Sequence, residues 1–365
     1  MKYLLPFLTL IITLDSCAQT SPGKMDFETY DPVSTLVVPE HKLSRAKFPF
    51  IDVHNHQWGN AMAPNNLSGL IRDMDKLNMQ VMVNLSGGNG NGLKKMSDDV
   101  KANYPKRFII FANIDFDGVG SNGWTEKAVK QLEADVKNGA NGLKIFKDLG
   151  FNVNDVNGKR VTIDDPRLDA IWDKAGELKI PVIIHTADPK PFWDPEDEHN
   201  ERWLEIKTHP GRKRSATDPA PWETLIEEQH RMFMKHPKTT FIAAHFGWYA
   251  NNLGKLDSLL TQMPNVVVEF GAVIAELGRQ PRMAKKFFEK YQDRILFGKD
   301  SWAPEEYTTY FRVLETEDEY FPYHKKYHAF WRMYGIGLPD DILKKVYYKN
   351  ALRIIPNIDK SVFPE

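Results

Sequence analysis

Short apolar runs alternate along this chain with stretches in which apolar side chains return every three or four residues, and the alternation persists almost to its end. A run of four to eight apolar residues closed by turn formers reads as a buried strand; the wider spacing reads as a helix with one face inward. The first run is residues 50–56 (FIDVHNH), introduced by Pro49 and followed by Gly59-Asn60. Seven more strands are predicted at 79–85 (MQVMVNL), 107–114 (RFIIFANI), 141–146 (NGLKIF), 180–186 (IPVIIHT), 240–245 (TFIAAH), 265–270 (NVVVEF) and 294–297 (RILF). Between them Leu67, Leu70, Ile71, Met74 and Leu77 have helical spacing, and further helices are predicted over 125–138, 166–179, 222–236, 253–263, 275–292 and 339–354. Asp165-Pro166 is a start signal, a capping side chain followed by Pro at the first helical position. The cluster 86–92 (SGGNGNG) has neither the Lys-Ser/Thr of a phosphate loop nor the spacing of a dinucleotide fingerprint, so it reads as a flexible loop. Continuously apolar strands separated by helices imply a parallel sheet covered on both faces. Eight of them close most simply into an α/β fold, a (β/α)8 TIM barrel.

Length and charge narrow this only slightly. A chain of 365 residues is filled by one barrel with loop insertions, expected over 46–357, with a short tail at 358–365. Its 48 basic and 49 acidic residues nearly cancel, so no overall field draws it to nucleic acid or to an anionic membrane surface. No nucleic-acid signature is present.

The first residues read as a targeting segment. Lys2 precedes an apolar stretch from Leu4 to Leu14, long enough for a signal peptide and too short for a membrane span. Leu14-Asp15-Ser16-Cys17 resembles a bacterial lipobox, with Asp15 unusual inside it; Ser16-Cys17-Ala18 also fits ordinary signal peptidase, cutting before Gln19. Cys17 is the only cysteine, which excludes an intramolecular disulfide and favours an acylation site. Residues 1–17 are therefore expected to be a lipoprotein signal peptide and 18–45 a tether. The protein is then exported, periplasmic or anchored to the outer membrane, and meets a membrane only through a lipid on Cys17.

Polar residues end the predicted strands repeatedly. His54 and His56 lie one pleat apart and point the same way at the end of the first. Lys144 lies in the fourth, His185 and His245 end the fifth and sixth, and Asp300 follows the eighth. Singly each has a plain structural explanation: His185 as a hydrogen-bonded histidine near the core, Asp300 as a helix cap. Barrel closure brings all these ends onto one face, and imidazole with carboxylate is a donor set for a divalent metal.

These residues, with Gly298-Lys299-Asp300 and the closing segment from Leu338-Pro339-Asp340-Asp341 to Asn350-Ala351-Leu352, resemble the amidohydrolase superfamily over about residues 49–355. The branch most similar is the amidohydrolase-related group, which holds aminocarboxymuconate semialdehyde decarboxylase and aromatic acid decarboxylases as well as hydrolases. The resemblance implies that His54, His56, His185 and Asp300 bind one divalent metal, zinc before manganese. It makes His245 an acid/base or substrate-polarising group outside that shell and Asp300 the proton carrier. Two-metal members carry a carboxylated lysine on strand four; Lys144 and Lys147 are available and point to opposite faces. Lys144 is taken as lining the barrel, with one metal the leading expectation. Lys299, beside a ligand, is expected to turn outward.

The implied chemistry is hydrolysis of an amide, ester or lactone of a small substrate; decarboxylation or a hydro-lyase reaction is the alternative, and the ligand set does not separate them. The connection after the fifth strand, residues 186–221, is about 35 residues long, a length typical of lids. With it come Trp193 and Arg202 as candidate substrate contacts, joined at the same mouth by Trp58, Trp248 and Lys144. Arg212 to Arg214 are equally explained as solvated. Glu269, on the seventh strand, is left open between inward and outward. Homo-oligomerisation is compatible with the sequence.

Overall fold

A computed structural model describes residue 23 and residues 25–364. The expected signal peptide lies outside these residues, as does Cys17. Residues up to Val38 form a unit of their own, apart from that of Pro39 onward. Among its described residues there is one turn and no helix or strand; Asp26 accepts from Glu28 N at 3.0 Å. Among the described residues no helix is long and apolar enough to cross a membrane.

The second unit is built on parallel strands: β1 Phe50–Asn55, β2 Met79–Asn84, β3 Phe108–Ile110, β4 Ala112–Asn113, β5 Leu143–Ile145, β6 Val182–Ile184, β7 Phe241–Ala243, β8 Val266–Glu269 and β9 Ile295–Leu296. They pair in chain order, β1 to β3 in one ladder and β4 to β9 in another. The break at Phe111 explains why one predicted strand became two. Residues 108–110 pair with β2 and 112–113 pair with β5, while Phe111 N still donates to Asn84 O at 3.0 Å. The other seam is closed by Val53 N to Phe297 O at 2.9 Å and Asp300 N to His54 O at 2.7 Å. The family of strands is thus the expected barrel.

Several helices differ from the sequence reading, each for a physical reason. The glycine cluster is half helix: Gly90–Asn103 is helical, its inner face carried by Leu93, Ser97 and Val100, because tertiary packing outweighs the poor propensity of its two leading glycines. The span predicted over 275–292 is divided into Ile274–Gly278 and Pro281–Lys290, since Pro281 cannot continue a helix. A helix absent from the reading, Tyr307–Glu315, buries Tyr307, Tyr310, Phe311 and Leu314. The closing helix contains a π-turn, Lys345–Lys349, that lets Val346 O accept from Phe297 N at 3.1 Å. Asp165 caps as expected, accepting from Arg167 N, but opens a 3-10 turn, Pro166–Leu168, before the helix Asp169–Glu177.

Beneath the β1–β9 seam Phe297 is fully buried, with Phe50, Phe270 and Tyr347 rings at 4.8, 5.3 and 5.5 Å. This cluster fixes the level at which both strands deliver their terminal residues. Phe297→Ala is expected to cost about 3–5 kcal/mol of stability, measured by denaturant unfolding; a loss below about 1 kcal/mol would show that the seam does not depend on it.

Candidate metal centre

β1 delivers His54 fully buried, with Nδ1 2.8 Å from Glu269 Oε1. A carboxylate at Nδ1 takes that nitrogen's proton as donor and leaves the Nε2 lone pair free. His56, two residues on, points to the same side, its Nδ1 2.9 Å from Ser86 Oγ. Asp300 sits just beyond β9 with φ 87, a left-handed backbone held by its amide bond to His54 O. Gly298 makes this approach workable, because an added Cβ would collide with the Glu269 carboxylate.

Three acceptor atoms converge as a result. His54 Nε2 lies 3.3 Å from His56 Nε2 and 3.2 Å from Asp300 Oδ1, and His56 Nε2 lies 3.7 Å from the same oxygen. Donor atoms held about 2.0–2.2 Å from a tetrahedral metal stand about 3.3–3.6 Å apart, so the triangle has the size of one coordination face. Electrostatics agree with that fit. Burial, together with His54 and Lys144, pulls His56 down to about 2, keeping its ring neutral. Burial and Lys144 oppose protonation of His54, but Glu269 and Asp300 outweigh them and raise its pKa; a proton there is what a cation would displace. Asp300, although burial works against its charge, is held well below the usual carboxylate range by His54, His245 and His56.

A second grouping shares His54. His245 and Glu269 bring ligand-type atoms within 4.8 Å of it. Here the carboxylate is an organiser: Glu269 accepts from His245 N at 2.8 Å and from Gly271 N at 2.6 Å, besides holding His54. Burial resists its ionisation, yet His54, His245 and the Gly271 amide bring it down to about 2. Glu269, left open from sequence, is therefore inward and central. His245 has its Nδ1 2.6 Å from Gly271 O and adopts φ 57 in a short left-handed turn. His185 stands next to it, Nδ1 3.3 Å from His245 Nε2, and falls outside both tight groupings among the described residues. Its Nε2 is buried with no hydrogen-bond partner.

The other expected contacts are spread around the mouth. Lys144 is 1 % exposed and inward, Nζ 3.5 Å from His54 Nε2, and burial lowers it to about 8 against the pull of Asp300 and Glu269. Lys147 pairs with Asp188 Oδ1 at 2.6 Å, and the same oxygen lies 4.0 Å from His185 Nε2. Lys299 does turn from the site, onto Glu306 and Ser301 O. Trp58, 61 % exposed, stacks on His56 with centroids 5.4 Å apart, and Phe146 adjoins both. Trp248 stacks on His245 at 4.5 Å and meets His185 at 5.7 Å. Trp193 packs on Phe151 and donates to Ala220 O at 2.8 Å. Arg202 is buried and bonded to Glu205 and Glu276, while Arg212, 38% exposed, and Arg214 are paired with Glu205 and Asp188. Ser86, Phe146 and Glu276 were not singled out from sequence, because nothing in their local pattern marks them; they become neighbours of the site only when loops from different strands meet.

With this geometry in place, comparison with known proteins decides the family. Residues 51–356 match the family profile described as amidohydrolase. The chain belongs to the amidohydrolase family. This agrees with the superfamily and the amidohydrolase-related branch expected from its strand-end residues, and the family's metal dependence accords with the triangle just described. Among solved structures, a candidate amidohydrolase from Staphylococcus aureus is similar at 18% identity and TM-score 0.54, over 84% of this chain and 99% of that one. A 4-oxalomesaconate hydratase from Rhodopseudomonas palustris matches at 14% and 0.51, over 86% and 97%. A 2,6-dihydroxybenzoate decarboxylase, solved with 2,6-dihydroxybenzoate, matches at 14% and 0.50, over 84% and 99%. At such identities these neighbours share the fold alone. No curated protein matches this chain in sequence.

Because Glu269 fixes the His54 tautomer, Glu269→Gln is expected to weaken divalent-metal affinity about 10- to 100-fold with the barrel still folded. A chelator-competition titration with circular dichroism on the same sample checks this; unchanged affinity would mean that His54 needs no orienting partner.

Proposed function

We propose that this protein is an exported metal-dependent hydrolase that cleaves an amide, ester or lactone bond in a small carboxylate- or hydroxyl-bearing substrate. One observation carries the metal-dependent part of this reading, to which export adds the preference for hydrolysis: His54 Nε2, His56 Nε2 and Asp300 Oδ1 form a triangle sized for one cation at the carboxyl end of the strands. Zinc is the proposed ion, with manganese next, because two neutral imidazoles and a carboxylate are borderline donors. When bound, such an ion polarises a carbonyl and brings the pKa of water toward about 7.

The remaining chemistry belongs to the chain. The Asp300 side chain is 33% exposed whereas His54 is wholly buried, so Asp300 is the member of the triangle that meets incoming water. It takes a proton from that water as attack proceeds and passes it to the leaving group. His245, its Nδ1 anchored on Gly271 O, presents Nε2 to His185 Nδ1 at 3.3 Å, and burial lowers its pKa and favours the neutral ring. Trp58 and Phe146 on one side and Trp248 on the other provide flat walls for the substrate, and Lys144 Nζ a donor near the reacting centre. Export, supported by the leader and by Cys17 as the only cysteine, suits breakdown of a nutrient outside the cytoplasm, with the enzyme held at the membrane by lipid on Cys17.

Asp300→Asn in metal-loaded protein should lower kcat by at least about a hundredfold with an unchanged circular dichroism spectrum. Retained turnover would remove its proton-carrying role. For the N-terminus, labelled palmitate should mark the wild type in bacterial cells and leave Cys17→Ser unmarked; equal label in both would rule out lipidation.

A further inference from the structure

Sharing Trp248 with the surroundings of His245 is a narrow cleft whose lining includes Trp248, Arg202, Val273 and Glu276. Its free space is about 20 Å³, enough for about one water-sized group. Trp248 links it to the site, forming part of its wall and stacking on His245. Two polar atoms of its lining residues are buried without a hydrogen-bond partner: the carboxylate oxygen Glu276 Oε2 and the indole nitrogen Trp248 Nε1. Most other charged groups there are already satisfied. Glu276 Oε1 and Glu205 are taken by Arg202, Glu201 by Arg279 at 2.7 Å, and Lys190 by Asp194 at 2.6 Å.

A buried polar atom left unpaired costs about 1–3 kcal/mol, more for a charged one, so such atoms in a functional cleft mark what a ligand supplies. One is an acceptor only and the other a donor only. An ammonium can donate to Glu276 but offers nothing to the indole; a carboxylate can accept from the indole but is repelled by Glu276. A hydroxyl does both. Charge points the same way, because Arg202 and Arg212 balance Glu205 and Glu276 and leave no excess for an ionic group. We propose that the substrate carries a neutral hydroxyl that enters this cleft, donating to Glu276 Oε2 and accepting from Trp248 Nε1, which makes these two residues the specificity determinants of the site. This narrows the hydrolytic reading to hydroxylated substrates.

The test uses full-length, metal-loaded protein and matched probes. Binding is measured by calorimetry with 2- and 3-hydroxycyclopentanone against cyclopentanone, ring ketones that cannot be hydrolysed; turnover is measured with α- and β-hydroxy-γ-butyrolactone against γ-butyrolactone. In the wild type at least one hydroxylated ketone should bind about tenfold or more tightly than its parent, as expected for a hydrogen bond to a charged group. Glu276→Gln, which keeps a partner for Arg202, should reduce that preference to about threefold or less while affinity for the parent ketone holds, and Trp248→Phe, which keeps an aromatic ring on His245, should reduce the preference to the same extent. Equal binding of both ketones, no binding of either, or a preference indifferent to both substitutions would overturn the proposal and leave a bridging water as the cleft's occupant. If the binding preference holds but no lactone is hydrolysed, lactone hydrolysis falls and the hydroxyl site stands.

Discussion

One buried carboxylate organises the centre. Glu269 is fully enclosed at the end of β8, yet it is ionised because everything it touches donates: the His54 ring, the amide of His245 and the amide of Gly271. An isolated charge at that depth would be prohibitive, so the carboxylate and its donors are mutually required. Through these bonds β8 sets the tautomer of a residue on β1 and the backbone of the turn after β7. The free lone pair on His54, and hence the triangle with His56 and Asp300, follows from that arrangement.

The surrounding protein handles charge in a consistent way. A second buried carboxylate, Asp52, ties the β1–β9 seam from below, accepting from His54 N, Lys299 N, Asn55 and Tyr307 OH at 3.0, 3.1, 2.9 and 2.6 Å. Burial raises it to about 6 against those donors. Lys299, which would oppose a cation if it faced inward, is drawn onto Glu306 instead. Arg202 is likewise neutralised by Glu205 and Glu276, so the 186–221 connection is fastened to the helix Ile274–Gly278 by a buried ion pair. Lys144 is inward at the centre, and burial weakens its charge.

Much of the framework was legible in the chain. Each barrel strand was visible because parallel strands covered on both faces must be continuously apolar, a local property. The paired direction of His54 and His56 was also local, following from strand alternation, and so was the outward turn of Lys299. Helices were less legible where propensity and packing disagree. Gly90–Asn103 begins with glycines, and Tyr307–Glu315 is rich in aromatic and β-branched residues, so both owe their helicity to the faces they bury.

What the sequence determined alone is therefore the alternation of strands and helices, the carboxyl-end position of His54, His56, His185, His245 and Asp300, and through them the family. Tertiary structure decided how those residues divide the work: that Glu269 on β8 points inward, that His185 meets the cluster through His245, and that Arg202 is occupied by acids rather than by ligand. The reason is physical. Strand type and side-chain alternation depend on neighbours a few residues away, whereas hydrogen-bond partners such as His54 and Glu269, 215 positions apart, are chosen only when closure brings distant strand ends to one rim.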